Sequence, residues 1–323
     1  MSEGSKWIGF DLGGTKMLAV LYDDRLKPIG RRRRRTKGNE GPDAVIERIV
    51  STIERLLEET DTKPEEIAGI GIGCPGPVDM ETGLVHVCVN LGWSNVKIGK
   101  ILSDKFDCPV RVLNDVDAGV YGEYTDGAAK ESRCCVGIFP GTGIGGGCVY
   151  EGNIIHGADI TCMEIGHTRI SSGSRTSGYD LAGTLEAEAS RLAIAAEAAK
   201  CAYRGTAPKL RDIAGCDISE IRSGALSESI EKGDEEIKEL IEQASQTIGL
   251  AVVNVVHLLA PDTIVLGGGL VEAMPDLIVG TVSKTAKKNV LEPYKDRFKV
   301  VPAKLDDDAA VIGAAAWVRF KVA

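Results

Sequence analysis

The stretch CCVGIFPGTGIGGGCVYEGNIIHGADITCMEIGH, Cys134 to His167, is the part of the chain from which the fold can be read. The apolar run Cys135-Val136-Gly137-Ile138-Phe139 predicts a strand that delivers its end into Gly141-Thr142-Gly143-Ile144-Gly145-Gly146-Gly147. So few side chains let backbone approach an anion closely, and successive N–H groups can point into one concavity. A second strand is expected from Gly147 to Tyr150, so the loop joins two strands. That excludes the usual dinucleotide fingerprint, in which the glycines open a helix. Further on, Glu164-Ile165-Gly166-His167 sets a carboxylate and an imidazole three positions apart, a pair suited to neighbouring hydroxyls.

A lone glycine cluster is equally consistent with a plain hairpin; a partner near the N-terminus changes the weighing. Trp7 to Leu12 is another apolar strand, entering Gly13-Gly14-Thr15-Lys16, and Met17 to Tyr22 continues as a second strand. Asp11 ends the first strand beside backbone amides and the Thr15 hydroxyl, a setting for hydrated Mg²⁺ and phosphate. Gly9-Phe10-Asp11-Leu12-Gly13-Gly14-Thr15 parallels Gly137-Ile138-Phe139-Pro140-Gly141-Thr142-Gly143, which predicts two halves built alike and two phosphate-holding turns across one cleft. A third glycine turn, Gly267-Gly268-Gly269, follows the strand Thr263 to Leu266 and offers a flat surface for a base or ribose. Strand Val110 to Leu113 delivers Asn114-Asp115 where open α/β sheets place ligands. There Asn114 serves either sugar hydroxyls or a helix N-cap, and Asp115 can take a hydroxyl proton. Arg31 to Arg35 reads first as a charged edge strand and second as a polyanion patch.

With 323 residues, 43% of them hydrophobic and 26% charged, the chain has material for two domains and a substantial core. A net charge of −9 argues against a nucleic-acid binder, since phosphate attraction needs a basic surface. No leader-like N-terminus and no bilayer-length apolar run are present, so a cytoplasmic protein with no membrane association is expected. Nine cysteines without a CxxC pair fit reduced thiols. Helices are expected from Asp43 to Glu59, from Asp234 to Leu259 and from Ala309 to Phe320, the last returning to the first half. The expected division is a small α/β domain, 1–115 plus 309–323, and a large one, 116–308.

With these pieces in place the chain resembles the ROK family of sugar kinases and repressors, within the actin-like, hexokinase-like ATPase superfamily. The resemblance rests on DLGGTK (Asp11–Lys16), CPGPVD (Cys74–Asp79), NLGW (Asn90–Trp93), NDVDA (Asn114–Ala118), GTGIGGG (Gly141–Gly147), EIGH (Glu164–His167), Leu185-Glu186 and LGGG (Leu266–Gly269). It implies an α/β fold of two ribonuclease-H-like domains, each with a mixed sheet, and ATP with Mg²⁺ bound across the cleft above a hexose, most naturally glucose. The resemblance makes Asp115 the general base for the 6-hydroxyl. Gly76, Asn90, Asn114, Glu164, His167 and Glu186 stand as sugar-binding positions, and Asp11, Gly13, Gly14, Thr15, Lys16, Gly141, Thr142, Gly143, Gly267, Gly268 and Gly269 as nucleotide-binding ones. A homodimer through the second half is a further implication. N-acetylmannosamine, N-acetylglucosamine, mannose and fructose are the alternative acceptors, polyphosphate the alternative donor, and sugar sensing the non-catalytic alternative. Family repressors carry a helix-turn-helix module before the first turn, for which some ten residues leave no room. One departure stands out: where relatives carry a zinc knuckle, this chain has Ser177, Tyr179 and Thr184 in place of three thiolates. A structural zinc needs four N/S ligands and only His167 remains, so no zinc is expected.

Overall fold

The computed structural model describes residues 4–178 and 180–322. The chain divides into two compact units, the first running to Glu131 and including Gly147–Met163 and the chain from Lys304 on, the second comprising Ser132–Gly146 and Glu164–Ala303.

In the first unit β1 (Lys6–Leu12), β2 (Lys16–Tyr22) and β3 (Pro28–Arg35) form an antiparallel meander. Helix α1 (Pro42–Glu59) starts at a proline, whose missing N–H costs nothing at that position, and buries Val45, Ile49, Ile53, Leu56 and Leu57 along one stripe. It leads to β4 (Ile67–Cys74), parallel to β1. A small sheet of β5 (Val78–Asp79), β6 (Leu84–Cys88) and β7 (Trp93–Val96) precedes α2 (Ile98–Phe106). Then β8 (Val110–Asn114), parallel to β4, runs straight into α3 (Asp115–Asp126). The main sheet has the order β3-β2-β1-β4-β8.

The later sheet repeats that plan. It contains β9 (Cys134–Pro140), β10 (Ile144–Tyr150) and β11 (Asn153–Ile154). Helices α4 (Leu185–Ala189), α5 (Arg191–Arg204), α6 (Pro208–Ala214), α7 (Ser223–Glu231) and α8 (Glu235–Leu259) lead to β12 (Thr263–Leu266). After α9 (Gly269–Ala273) and α10 (Pro275–Asn289) comes β13 (Lys299–Pro302). The order is β11-β10-β9-β12-β13, with β12 parallel to both neighbours. In each sheet, therefore, three meander strands are followed by two parallel ones. Strand β10 begins at Ile144, earlier than expected, and absorbs Gly145–Gly147. A Cβ on Gly147 would stand 2.9 Å from Asp117 Oδ1 and 3.0 Å from Val120 Cγ2, so this glycine makes room for α3 rather than for a loop.

The final helix, α11 (Ala309–Val322), is apolar on every side from Ala309 to Val318, the part that is buried, and turns charged and exposed only in its last turn. Val311, Ala315 and Val318 join Trp7, Leu18, Val20 and Tyr22 in one core cluster. Among the described residues no helix is long and apolar enough to cross a membrane.

Candidate active site

In the first unit β1, β4 and β8 are parallel and end together: Asp11 lies opposite Gly73, and Cys74 opposite Asn114. Carboxyl ends of parallel strands are where open α/β sheets hold ligands. The chain turns directly from β8 into α3, and Asn114 makes that turn stable by capping the helix. Its Oδ1 accepts from the amides of Val116 (2.8 Å) and Asp117 (3.3 Å), and its Nδ2 donates to the Gly76 carbonyl at 3.1 Å. Of the two readings open for Asn114, the cap is the one this geometry takes, which leaves one amide hydrogen for a ligand. Asp115 is the first residue of α3, half-buried, with Oδ1 accepting the Val116 amide at 3.0 Å. A carboxylate there is favoured by the positive end of the helix.

Asp11 is the electrostatic oddity. Burial, reinforced by the charges of Asp115 and Asp307, pushes its carboxyl up to about 7. The Cys74 thiol is raised too, by burial first and then by Asp115. Acidic groups are thus crowded around the shielded Asp11 carboxyl, while Asp307 itself stays exposed. Between its ordinary value of 3.8 and about 7 the native carboxyl keeps a proton that the unfolded chain has lost. Its contribution to stability is therefore present below the lower value and lost as pH rises through the upper. The Asp11→Asn variant should match wild type at pH 4 and be more stable at pH 8 by ~1.4 kcal/mol or more, one pKa unit's worth. Urea unfolding at both pH values checks this; equal stability at pH 8 would rule out a desolvated carboxyl.

The glycine turns share one feature. In the first, the carbonyls are held from behind: the Thr36 amide donates to Thr15 O at 2.9 Å, and Thr36 Oγ1 to Gly13 O at 2.6 Å. Among the described residues the Gly14 and Thr15 amides meet no acceptor. In the second, the Gly141 amide donates to Gly143 O (2.8 Å) and the Arg191 amide to Gly141 O (2.9 Å), while the Thr142 and Gly143 amides likewise meet no acceptor. Successive open amides of this kind can form a concavity that suits an anion. The third turn differs: Gly268, at φ 81°, precedes α9, and Gly267 lies so close to Phe139 that a Cβ would stand 2.9 Å from its ring.

Other expected ligands fall around these turns. Asn90 lies against the first: a Cβ on Gly14 would be 3.4 Å from Asn90 Cβ. Trp93 is buried, so packing occupies it. In the second unit Glu186 Oε2 accepts the Ile144 amide at 3.0 Å and so braces the second turn. Gly166 approaches the Ile144 carbonyl so closely that a Cβ would stand 2.0 Å from its oxygen. This contact brings the Glu164–His167 turn to the same strand, with His167 Nε2 3.9 Å from Glu164 Oε2. Lys16 Nζ pairs with Asp307 at 3.3 Å.

The segment where relatives carry the knuckle holds hydroxyl-bearing side chains. Ser177 and Thr184 bring hydroxyls, Tyr179 lies outside the described residues, and among the described residues no three His, Cys, Asp or Glu are grouped to hold a metal. Hydrogen bonds and ion pairs hold the segment: Ser171 Oγ donates to Glu188 Oε1 at 2.7 Å, Gly183 N to Arg175 O at 2.9 Å, and Arg175 pairs with Glu197 at 3.1 Å. The arginine run is an edge strand with counter-ions. On one face Arg31 pairs with Asp308 and Arg33 with Asp307; on the other Arg32 pairs with Glu59 and Arg34 bonds Ser51.

Sequence reasoning passed over Thr36, Arg191 and Asp307. Thr36 follows a charge run, Arg191 opens a helix and Asp307 sits in an acidic triplet. Only the Asp-Asp-Asp triplet, just before an apolar helix, was a usable signal.

Fold and turns together define a mixed α/β protein with two alike five-stranded sheets, each carrying a strand–glycine–strand turn with open amides. The chain belongs to the ROK family, whose model matches residues 7–321. It is similar to a glucokinase of Thermotoga maritima, 29% identical over 98% of both chains. An N-acetyl-D-glucosamine kinase of Histophilus somni is 26% identical over 96% of this chain and 98% of its own. In structure the chain resembles a ROK family glucokinase from Streptomyces griseus, crystallised in complex with glucose and AMPPNP. The TM-score is 0.82 at 24% identity, covering 98% of this chain and 100% of that one. The mixed α/β fold with two alike sheets is the fold of that ROK structure.

Proposed function

We propose that this protein is an ATP-dependent hexokinase that phosphorylates the 6-hydroxyl of a hexose, with glucose as the preferred acceptor. The observation that carries the reading is the pair of glycine turns whose carbonyls are tied back and whose amides are open. The glucokinase relative and the glucokinase structure holding glucose and AMPPNP support the same substrates.

Phosphoryl transfer asks for placement and charge stabilisation more than covalent chemistry. Amides of Gly14 and Thr15, and of Thr142 and Gly143, take phosphate oxygens; Gly267–Gly269 takes ribose or base. Asp115 accepts the 6-hydroxyl proton. Asn114, through its one remaining amide hydrogen, and Glu164 and His167 hold other hydroxyls, with Gly76 and Asn90 shaping the rim; Glu186 serves by bracing the second turn. The crowded Asp11 suits a hydrated Mg²⁺ held through water, which when bound neutralises charge on the transferring phosphate. Arg31, Arg32 and Arg33, already paired with carboxylates, favour ATP over polyphosphate as donor.

A coupled assay of glucose, mannose, fructose, N-acetylglucosamine and N-acetylmannosamine, with ATP and with polyphosphate, tests the reading. Glucose with ATP should give the highest kcat/KM. An N-acetyl sugar in first place would move the substrate, and no turnover of any sugar would end the kinase reading.

A further inference from the structure

Thr36 is fully buried although it is polar, and its amide, hydroxyl and carbonyl are all hydrogen-bonded. Its amide reaches Thr15 O at 2.9 Å and its hydroxyl reaches Gly13 O at 2.6 Å. Its own carbonyl accepts from Arg48 Nη1 at 2.6 Å, and Arg48 is in turn paired with Glu40. The β2–β3 pairing ends at Lys16 opposite Arg35, so Thr36 is the first residue past the ladder and extends it under the turn. A peptide whose carbonyl is fixed on one side has its N–H fixed on the other. Holding Gly13 O therefore fixes the direction of the Gly14 amide, and holding Thr15 O that of the Lys16 amide, so the two peptides on either side of the Thr15 amide are both set.

We infer that Thr36 is a positioning residue that pre-aims the first glycine turn at the phosphates of the donor nucleotide. It rests on the reading of that turn as a phosphate holder, and it adds a residue that touches neither substrate. Preorganised amides need no reorientation when the anion arrives, whereas a turn free to rotate loses binding energy in being ordered. The hydroxyl bond is the part a substitution can remove cleanly, and one hydrogen bond of ~1.4 kcal/mol corresponds to tenfold in affinity.

Thr36→Val keeps the shape and the amide but loses the hydroxyl donor; Thr36→Ser keeps the donor. Binding of ATP, inorganic tripolyphosphate and adenosine is measured by calorimetry, and KM for ATP and for the hexose by the coupled assay. Thr36→Val should weaken ATP and tripolyphosphate about tenfold, leave adenosine affinity and the hexose KM unchanged, and be rescued to within about twofold by Thr36→Ser. Wild-type ATP affinity in Thr36→Val, or an equal loss for adenosine, overturns the inference while leaving the kinase reading intact. A wild-type protein that takes up neither ATP nor tripolyphosphate overturns both. Should Thr36→Val fail to fold, Arg48→Met releases the Thr36 carbonyl from the other side. It should weaken tripolyphosphate about threefold and spare adenosine; unchanged tripolyphosphate affinity there overturns the inference.

Discussion

Asp115→Asn should lower kcat by ~10²–10⁴-fold, the usual worth of a positioned general base, while hexose affinity stays within about threefold of wild type. The substitution is close to a pure change of proton affinity. Asp115 Oδ1 accepts the Val116 amide, and an asparagine oxygen accepts it equally, so α3 keeps its first turn. The Asn114 cap is untouched. What disappears is a charge able to take the hydroxyl proton as that oxygen meets phosphorus. A second consequence separates this role from a merely structural one. Asp115 is among the groups that raise the Asp11 carboxyl, so the variant should shift Asp11's titration downward and with it the pH profile of residual activity. Turnover as fast as wild type would move the base to another residue; equal losses in kcat and hexose affinity would make Asp115 a binding group.

Gly313→Ala should destabilise the protein by about 3 kcal/mol or more, at the upper end of what overpacking costs. The reason is the seam along α11. A Cβ on Gly313 would stand 1.8 Å from the Ala118 carbonyl oxygen, and on Gly122, across the same seam, 2.0 Å from the Ala309 carbonyl oxygen. Where α11 crosses the sheet, Gly9 and Gly71 meet it at 1.9 Å by the same measure. Backbone, not side chain, lies at these contacts, so relief requires α11 or α3 to move. Both adjoin the candidate site, since Asp115 begins α3 and Asp307 lies just before α11. Gly280→Ala in α10 is the control: that glycine is exposed with nothing within 4 Å, and alanine should stabilise by ~0.5–1 kcal/mol. Urea unfolding of the three proteins decides, and a Gly313→Ala midpoint equal to wild type would show that the seam gives way freely.

How much was legible beforehand depended on how local the signal was. The turns at Gly13 and Gly141 were readable because an apolar strand, glycines and a second strand follow one another in the chain. The capping of α3 by Asn114 was readable as one of two options, because a cap is a contact across two or three residues. The start of β10 was misread since glycine lacks propensity for either a loop or a strand, and its use at Gly147 depends on α3 lying alongside. Glu186 looked like a sugar ligand from its place in a motif; its bond to the Ile144 amide spans dozens of residues and has no trace in the sequence.

The amino-acid sequence by itself determined that this is an α/β chain with a repeated strand–glycine–strand turn, an acidic residue at the end of its first strand and an Asn-Asp pair leaving another. Those are near-neighbour properties, set by hydrophobic period and by backbone freedom at glycine. Tertiary structure alone decided that Thr36 and Arg191 hold the turns, that Asp307 pairs with Lys16 and Arg33, and that Asp11 is pushed to hold its proton. Each of these depends on groups remote in the chain being brought together and, for Thr36 and Asp11, shielded from water. Hydrogen bonding and the energy of a buried charge depend on distance and solvent, not on position along the chain.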